Sequence, residues 1–364
     1  MALADTRFLT RRRTLAARLA AQRIDSMLVT SPLHVRYLSG FTGDDGALVL
    51  SKDLSATICT DGRYATQVAE EVPDIEAVID RAYAATLLDG LDRPRRVGFE
   101  ADYLSVSELE KLRESAGEDI TLVPVSGVIE EIRLVKDGLE LTRLREVAAL
   151  ANEAFKGLID NGELAVGRAE REVAADLEHR MRLNGGESTS FPTIVASGPN
   201  SAKPHHGAGE RIIEKGDLVT IDFGALRLGY NSDMTRTLVM GEPDEFSREI
   251  YEVVRRAQQA GIEAATVGRP VAEVDAAARA VISEAGYGEY FVHSTGHGVG
   301  RQVHEAPFAS QRGQGTLAEN MTLTIEPGIY VPGRGGVRIE DTLIITPGRP
   351  EIITEFPREL TVID

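Results

Sequence analysis

Two stretches in the second half of this chain repeat one pattern, and that pattern limits what the chain can fold into. One runs Val219-Thr-Ile-Asp-Phe-Gly224, then Tyr230-Asn-Ser-Asp-Met-Thr-Arg-Thr-Leu238. The other runs Leu323-Thr-Ile-Glu-Pro-Gly328, then Val337-Arg-Ile-Glu-Asp-Thr-Leu343. Each reads as an apolar strand interrupted by an acid, a glycine turn, and a returning strand with a second acid and a Thr two residues further on. Side chains two apart on a strand share a face. Thr220 therefore accompanies Asp222, Thr235 and Thr237 accompany Asp233, Thr324 accompanies Glu326, and Arg338 and Thr342 accompany Glu340. Packing the two hairpins about one centre brings four carboxylates together. Carboxylates so placed repel strongly where solvent is scarce. Arg338 supplies one nearby cation, and metal ions are the simplest further compensation.

Histidines gather around the same segments. His293, His297 and His304 lie within twelve residues, and the pair His205-His206 follows Pro204 shortly before the first acid strand. Neutral imidazole is a common metal ligand and also transfers protons near neutral pH. Gly296, Gly298 and Gly300 argue against a helix through His293–His297 and for a loop or strand with close backbone approach. The same glycines lack the spacing and the strand-to-helix context of a dinucleotide loop.

The rest of the chain divides by texture. At 364 residues, two domains are expected. The first third alternates short apolar runs at 26–30, 46–50, 56–60 and 96–99 with helical stretches, including 64–71, and reads as an α/β domain over 1–126. Arg11, Arg12 and Arg13 sit in an amphipathic first helix with the arginines on its solvated face. A long helix over 133–160, with Leu139, Leu141, Leu144, Val147 and Leu150 as its apolar face, opens a second domain over 134–364. That domain adds helices at about 168–183, 245–265 and 270–286. Hairpins fill 217–240 and 321–345.

Composition excludes whole classes. Lys and Arg total 40 against 57 Asp and Glu, a net charge of −17, which disfavours nucleic acid or an anionic membrane as partner. No run approaches the roughly 18 apolar residues of a membrane-spanning helix. Cys59 is the only cysteine, so intrachain disulfides and thiolate-rich metal sites are out, and it reads as a small buried residue. No apolar secretory segment follows the N-terminal arginines, and a cytoplasmic location is the default expectation.

The segments Ser197-Gly-Pro-Asn-Ser-Ala-Lys-Pro-His-His206, Ile221-Asp-Phe-Gly224, Tyr230-Asn-Ser-Asp-Met-Thr-Arg-Thr237, His293-Ser-Thr-Gly-His-Gly-Val-Gly300, His304-Glu-Ala-Pro307, Thr324-Ile-Glu-Pro-Gly328 and Val337-Arg-Ile-Glu-Asp341 together resemble the pita-bread metallopeptidases. The likeness is greatest to the Xaa-Pro-cleaving branch, aminopeptidase P and prolidase. Val35-Arg-Tyr-Leu-Ser-Gly-Phe41 and Thr60-Asp-Gly-Arg-Tyr64 resemble the creatinase/prolidase-like N-terminal domain of that branch. The implied architecture is α/β (α+β): a smaller N-terminal α/β domain, then a pita-bread catalytic domain with an internal pseudo-twofold repeat.

The resemblance implies five metal ligands, Asp222, Asp233, His297, Glu326 and Glu340. Asp233 and Glu340 would bridge two divalent ions, with Mn²⁺ favoured by oxygen-rich ligation and Co²⁺, Fe²⁺ or Zn²⁺ compatible. It also implies that Glu326 is the general base, that His304 stabilises the oxyanion, and that His293 helps place the proline side of a peptide. His205 matches the remaining family histidine, although the doublet leaves open whether it or His206 faces inward. Arg338 would hold carboxylates in place. The expected activity is that of aminopeptidase P, on the strength of Phe41-Thr-Gly-Asp-Asp-Gly46. A prolidase restricted to Xaa-Pro dipeptides is the alternative, and a metal-free creatinase-like hydrolase or a non-catalytic binding protein lie further off. Family members are commonly homodimers, which is carried as the expected assembly.

Overall fold

The computed structural model describes residues 6–92 and 95–364. The chain forms two compact units, Met1–Arg133 and Leu134–Asp364.

Among the described residues, the first unit holds a six-stranded sheet. Its strands are β1 (Ser26–Val29), β2 (Ala47–Ser51), β3 (Ala56–Thr60), β4 (Glu76–Ile79), β5 (Arg95–Glu100) and β6 (Ile120–Val125), in the order β4-β3-β2-β1-β5-β6. Only β2 runs against its neighbours. Period-two alternation divides the core. Met27, Val29, Leu48, Leu50 and Ile58 pack on one face with Leu15 and Leu19 of the first helix. Leu28, Ala47, Val49 and Cys59 pack on the other with Leu87 and Leu112. The buried, apolar setting expected for Cys59 is what the fold provides.

The first helix, Thr6–Ala21, departs from expectation in its arginines. Arg11 and Arg12 are buried, at 5% and 4% exposure, rather than solvated. Each donates to a carbonyl at the end of the helix Pro32–Ser39, Arg11 to Tyr37 O and Arg12 to Leu38 O, both at 3.0 Å. The last carbonyls of a helix have no intrahelical donor, and these guanidinium groups supply one. Arg11 also lies over the Tyr37 ring at 4.0 Å, and Arg12 pairs with Asp74.

In the second unit the long helix begins at Gly138, not 133, and runs to Asp160. Asp137 caps it, accepting from the backbone N–H of Leu139 and Glu140, and the Glu140 carboxylate accepts from Asp137 N–H. That cap fixes the start and places Leu139 in the first turn, 38% exposed, while Leu141, Leu144, Val147 and Leu150 are buried. Leu139 therefore drops out of the apolar face. Helices Glu170–Leu183, Glu245–Ala264 and Val271–Glu284 follow.

The repeated segments form two hairpin systems. Leu218–Phe223 pairs antiparallel with Met234–Met240, with Thr220 opposite Thr237 and Asp222 opposite Thr235. Thr322–Ile325 pairs with Asp341–Ile344, and Gly328–Val331 pairs with Gly335–Arg338. Asp222 lies within its strand. Asp233 immediately precedes one strand, and Glu326 and Glu340 fall in the breaks between strand pairs, so the returning acids are not on regular strands. The breaks release the backbone from the ladder and allow carboxylates of both hairpins to turn to one place.

Candidate metal centre

Each half of the repeat holds an acid of the other. Thr235 Oγ1 donates to Glu340 Oε2 at 2.8 Å, and Thr342 Oγ1 donates to the backbone carbonyl of Asp233 at 2.8 Å. The threonines two residues beyond the acids are thus crossed struts. His297 reaches the same place on the short strand Gly296–Gly298, which pairs with Glu305–Ala309. A Cβ at Gly296 would lie 1.8 Å from the carbonyl oxygen of Thr324. Only glycine permits this approach, and His297 lies beside the acid-bearing strand because of it.

Asp222, Asp233 and Glu340 offer ligand atoms within 4.8 Å of one another; so do His297, Glu326 and Glu340, and so do Asp233, His297 and His304. The five residues expected as ligands are therefore brought together, with His304 beside them. His297 Nε2 lies 3.3 Å from Glu326 Oε1 and 3.6 Å from Asp233 Oδ2. Its Nδ1–H donates to Gly298 O at 3.0 Å, which aims Nε2 at the carboxylates.

The electrostatics are those of a site short of positive charge. Burial, then the charge of Asp222, raises the Asp233 carboxyl well above its ordinary value. Burial, then Asp233, does the same for Glu340. Asp222 is raised by burial against the pull of Arg338. For Glu326, burial is outweighed by the bond and charge of His297, and its pKa falls to about 2. Burial likewise opposes charge on His297, but Glu326 and Asp233 carry it to about 9. Asp222 Oδ1 is buried and has no hydrogen-bond partner among the described residues. A buried carboxylate oxygen without a donor is costly, and a divalent ion would satisfy it. The donor set, oxygen-rich with one imidazole, fits such an ion.

Arg338 is buried and multiply bonded. It donates to Asp222 Oδ2 at 2.7 Å, Tyr330 Oη at 2.8 Å, Thr235 Oγ1 at 3.1 Å and Pro204 O at 3.2 Å. Tyr330, which sequence reasoning missed, continues the chain to His293 Nε2 at 2.8 Å. Burial raises its hydroxyl to about 12, so it stays protonated and donates to that nitrogen. His293 Nδ1–H donates in turn to Ser294 O, so both its nitrogens are occupied, and burial lowers its pKa.

His304 is exposed, edge-on to His297 with ring centroids 4.3 Å apart, and makes no hydrogen bond among the described residues. Burial of its ring atoms and the neighbouring His297 lower its pKa. The doublet divides clearly. His206 Nε2 is bonded to the fully buried Glu170 at 2.7 Å, whereas His205 is exposed and acts electrostatically on both His293 and His304.

Metallopeptidase family M24 matches residues 142–347, and the Creatinase/Prolidase N-terminal domain matches 11–135. The chain belongs to metallopeptidase family M24. Within it, the chain falls in the Xaa-Pro peptidase group. A relative named Xaa-Pro dipeptidase, from Pyrococcus furiosus, is 40% identical over 93% of this chain and 95% of its own length. Among solved structures, an Xaa-Pro dipeptidase from Bacillus anthracis is 40% identical with a TM-score of 0.93, covering 98% of this chain and 99% of that one. An X-Pro aminopeptidase from Thermotoga maritima is 33% identical with a TM-score of 0.88, covering 97% and 99%. The expected architecture, a creatinase/prolidase-type first domain before a pita-bread domain, holds.

Proposed function

We propose that this chain is a two-metal Xaa-Pro dipeptidase, hydrolysing the bond between an N-terminal residue and a C-terminal proline. The observation that carries the metal-dependent reading is the convergence of Asp222, Asp233, His297, Glu326 and Glu340 around a buried Asp222 oxygen that has no donor among the described residues. A metal-free creatinase-like mechanism leaves that convergence without purpose. The preference for dipeptides over longer peptides departs from the aminopeptidase P expectation. It is supported by the dipeptidase names of the 40%-identical relatives against an aminopeptidase at 33%.

In this reading Asp222, Asp233, His297, Glu326 and Glu340 would together hold two divalent ions. Bound there, such ions would supply an acidified water and polarisation of the scissile carbonyl. Every other part belongs to the chain. Glu326 would take the proton from the attacking water and pass it to the departing proline nitrogen. His304, whose ring makes no hydrogen bond among the described residues, would donate to the oxygen of the tetrahedral intermediate. His205 borders the same space. His293, with both nitrogens engaged, shapes the proline side through its ring rather than by a new hydrogen bond. Arg338 holds Asp222 in orientation. An Xaa-Pro bond lacks an amide N–H and has a fixed φ, so recognition rests on shape and on the charged ends of the substrate.

We further propose Mn²⁺ as the metal, a homodimer as the assembly and the cytoplasm as the location. Among the described residues no helix is long and apolar enough to cross a membrane. The test of the function is a paired assay of the Mn²⁺-loaded protein on an Xaa-Pro dipeptide and the matching Xaa-Pro-Yaa tripeptide. Cleavage of the dipeptide alone is expected. Efficient release of Xaa from the tripeptide would instead establish aminopeptidase P activity, and no turnover of either would remove the peptidase reading.

A further inference from the structure

The first unit contains a cavity of about 390 Å³ that the chemistry above does not use. Its position follows from the sheet. β1, β3, β4, β5 and β6 all point the same way, and the cavity lies beyond their carboxyl ends. Thr30 follows β1, Tyr83 follows β4 and Tyr103 follows β5, while Asp44 and Asp45 precede the reversed strand β2 and so reach the same edge. The connection leaving β1 leads to β2 on one side; that leaving β5 leads to β6 on the other; and β1 and β5 are adjacent. Open α/β sheets bind ligands at this kind of divide, where successive connections part. A cavity of this size suits one small molecule.

The lining sets the chemistry. The walls are largely apolar, with Tyr83, Tyr103 and Leu112 the larger surfaces and Leu112 buried. Asp45 is already paired with Arg63 at 2.6 Å, and Glu108 is engaged in the cap of the helix Val106–Ala116 through Ser105. Asp44 is exposed and makes neither hydrogen bond nor ion pair among the described residues. Thr30 Oγ1, also in the lining, is buried without a partner there. One free carboxylate, one unsatisfied hydroxyl and two aromatic rings around an apolar volume complement an ammonium group on a short apolar body.

We propose that this cavity is a second binding site, for a small apolar α-amino compound such as a free apolar amino acid or its amide. The ammonium group lies on Asp44 with Thr30 Oγ1 near by, and the side chain lies against Tyr83, Tyr103 and Leu112. Lys111, also in the lining, favours the free acid over the amide. The site is independent of the proposed peptidase activity, so the two readings fail separately.

The chain contains no tryptophan, and Tyr103 is 53% exposed, so Y103W places a single indole in the cavity wall. Full-length Y103W is titrated with L-leucinamide, L-leucine and N-acetyl-L-leucine while its fluorescence is followed, and the unmodified protein is titrated in parallel by calorimetry. The expected result is a saturable signal with leucine and leucinamide and none with the N-acetyl compound. D44N should weaken binding by about tenfold or more, since a charge-assisted bond is lost. The signal should persist in E340Q, which disables the metal centre and leaves the cavity intact. Leucine binding more tightly than leucinamide identifies the free acid as the preferred source, and the reverse order identifies the amide or a peptide N-terminus. Absence of saturable binding by both methods would overturn the proposal. So would binding that D44N leaves unchanged, or binding that E340Q abolishes.

Discussion

Replacing Tyr330 with Phe removes one hydroxyl and little else, and the structure fixes what that should cost. The hydroxyl accepts from Arg338 Nη1 at 2.8 Å and donates to His293 Nε2 at 2.8 Å, and the side chain is 4% exposed. A bond from a charged donor contributes about 1.5–3 kcal/mol and a neutral one about 1 kcal/mol. Arg338 Nη1 retains Pro204 O at 3.2 Å, which places the charged contribution near its lower end. The sum is about 2–3 kcal/mol. Arg338 also donates to Asp222, so the hydroxyl acts on a proposed ligand through one intermediary; loss of a ligand's direct partner lowers metal affinity about 10- to 100-fold, and Y330F, which keeps that partner, should lower it by about tenfold or less. Urea unfolding of metal-free wild type and Y330F should show the stability difference as a lower midpoint at unchanged slope. Calorimetric Mn²⁺ titration should show the weaker binding, and ¹⁵N NMR should show His293 Nε2 released from its donor. A stability loss below about 0.5 kcal/mol, together with unchanged metal affinity and an unshifted imidazole, would refute the reasoning.

Four further outcomes are expected. Glu340→Gln should lose both metal occupancy, read by elemental analysis, and turnover, because one ligand oxygen becomes an amide nitrogen; a fully metallated, fully active variant would rule out the two-metal site. His304→Ala should keep its metals while kcat falls about 10²- to 10³-fold, the usual loss for one oxyanion donor, and an unchanged kcat would remove that role. Gly296→Ala should fail to accumulate as folded protein in a solubility and circular-dichroism comparison, since its Cβ would sit 1.8 Å from Thr324 O; a folded, metal-binding G296A would show that the strand can move. Burial alone would raise Glu170, but bonds from Asn200, Ser197 and His206 outweigh it and hold its pKa below the ordinary 4.5. The unfolded chain therefore binds the proton first as pH falls, so Glu170 contributes its full stabilisation above about 4.5, and this is lost as pH drops through the native value. Midpoints of thermal unfolding for wild type and E170Q should converge with acidification in that window, and a gap independent of pH would contradict the linkage.

The strand parity of the repeated segments was legible far beyond the acids themselves. It placed Thr220 with Asp222 and Thr235 with Asp233 on one face, and Thr220 and Thr237 do meet at 2.9 Å across the ladder. The same parity puts Arg236 and Asp341 on the opposite face, where they form a fully buried pair at 2.7 Å behind Glu340. Nothing in the acid-bearing face marks that pair, because parity tells which residues share a face and not which partner each meets across the packing. Tyr330 was hidden for a different reason. Its partners Arg338 and His293 lie eight and 37 residues away, and a Tyr inside an apolar strand gives no local sign of what its hydroxyl meets. The buried Arg11 and Arg12 show the limit of amphipathic reading: a helix periodicity tells which side faces inward, not that carbonyls of a second helix wait there for a cation. The start of the long helix at Gly138 is set by an Asp137–Glu140 cap, a polar signal that apolar spacing beginning at Leu139 does not carry.

The crossed threonines explain why the acids can sit so close. Each hairpin alone would bury two carboxylates with no common scaffold, and small relative motion would let them separate and solvate. With Thr235 bonded to Glu340 and Thr342 bonded to the Asp233 backbone, separation of the halves breaks a hydrogen bond on each side. The repulsion among Asp222, Asp233 and Glu340 is then contained by the fold, and it appears instead as raised carboxyl pKa values. A divalent cation held by these carboxylates would relieve that repulsion by taking the place of their protons.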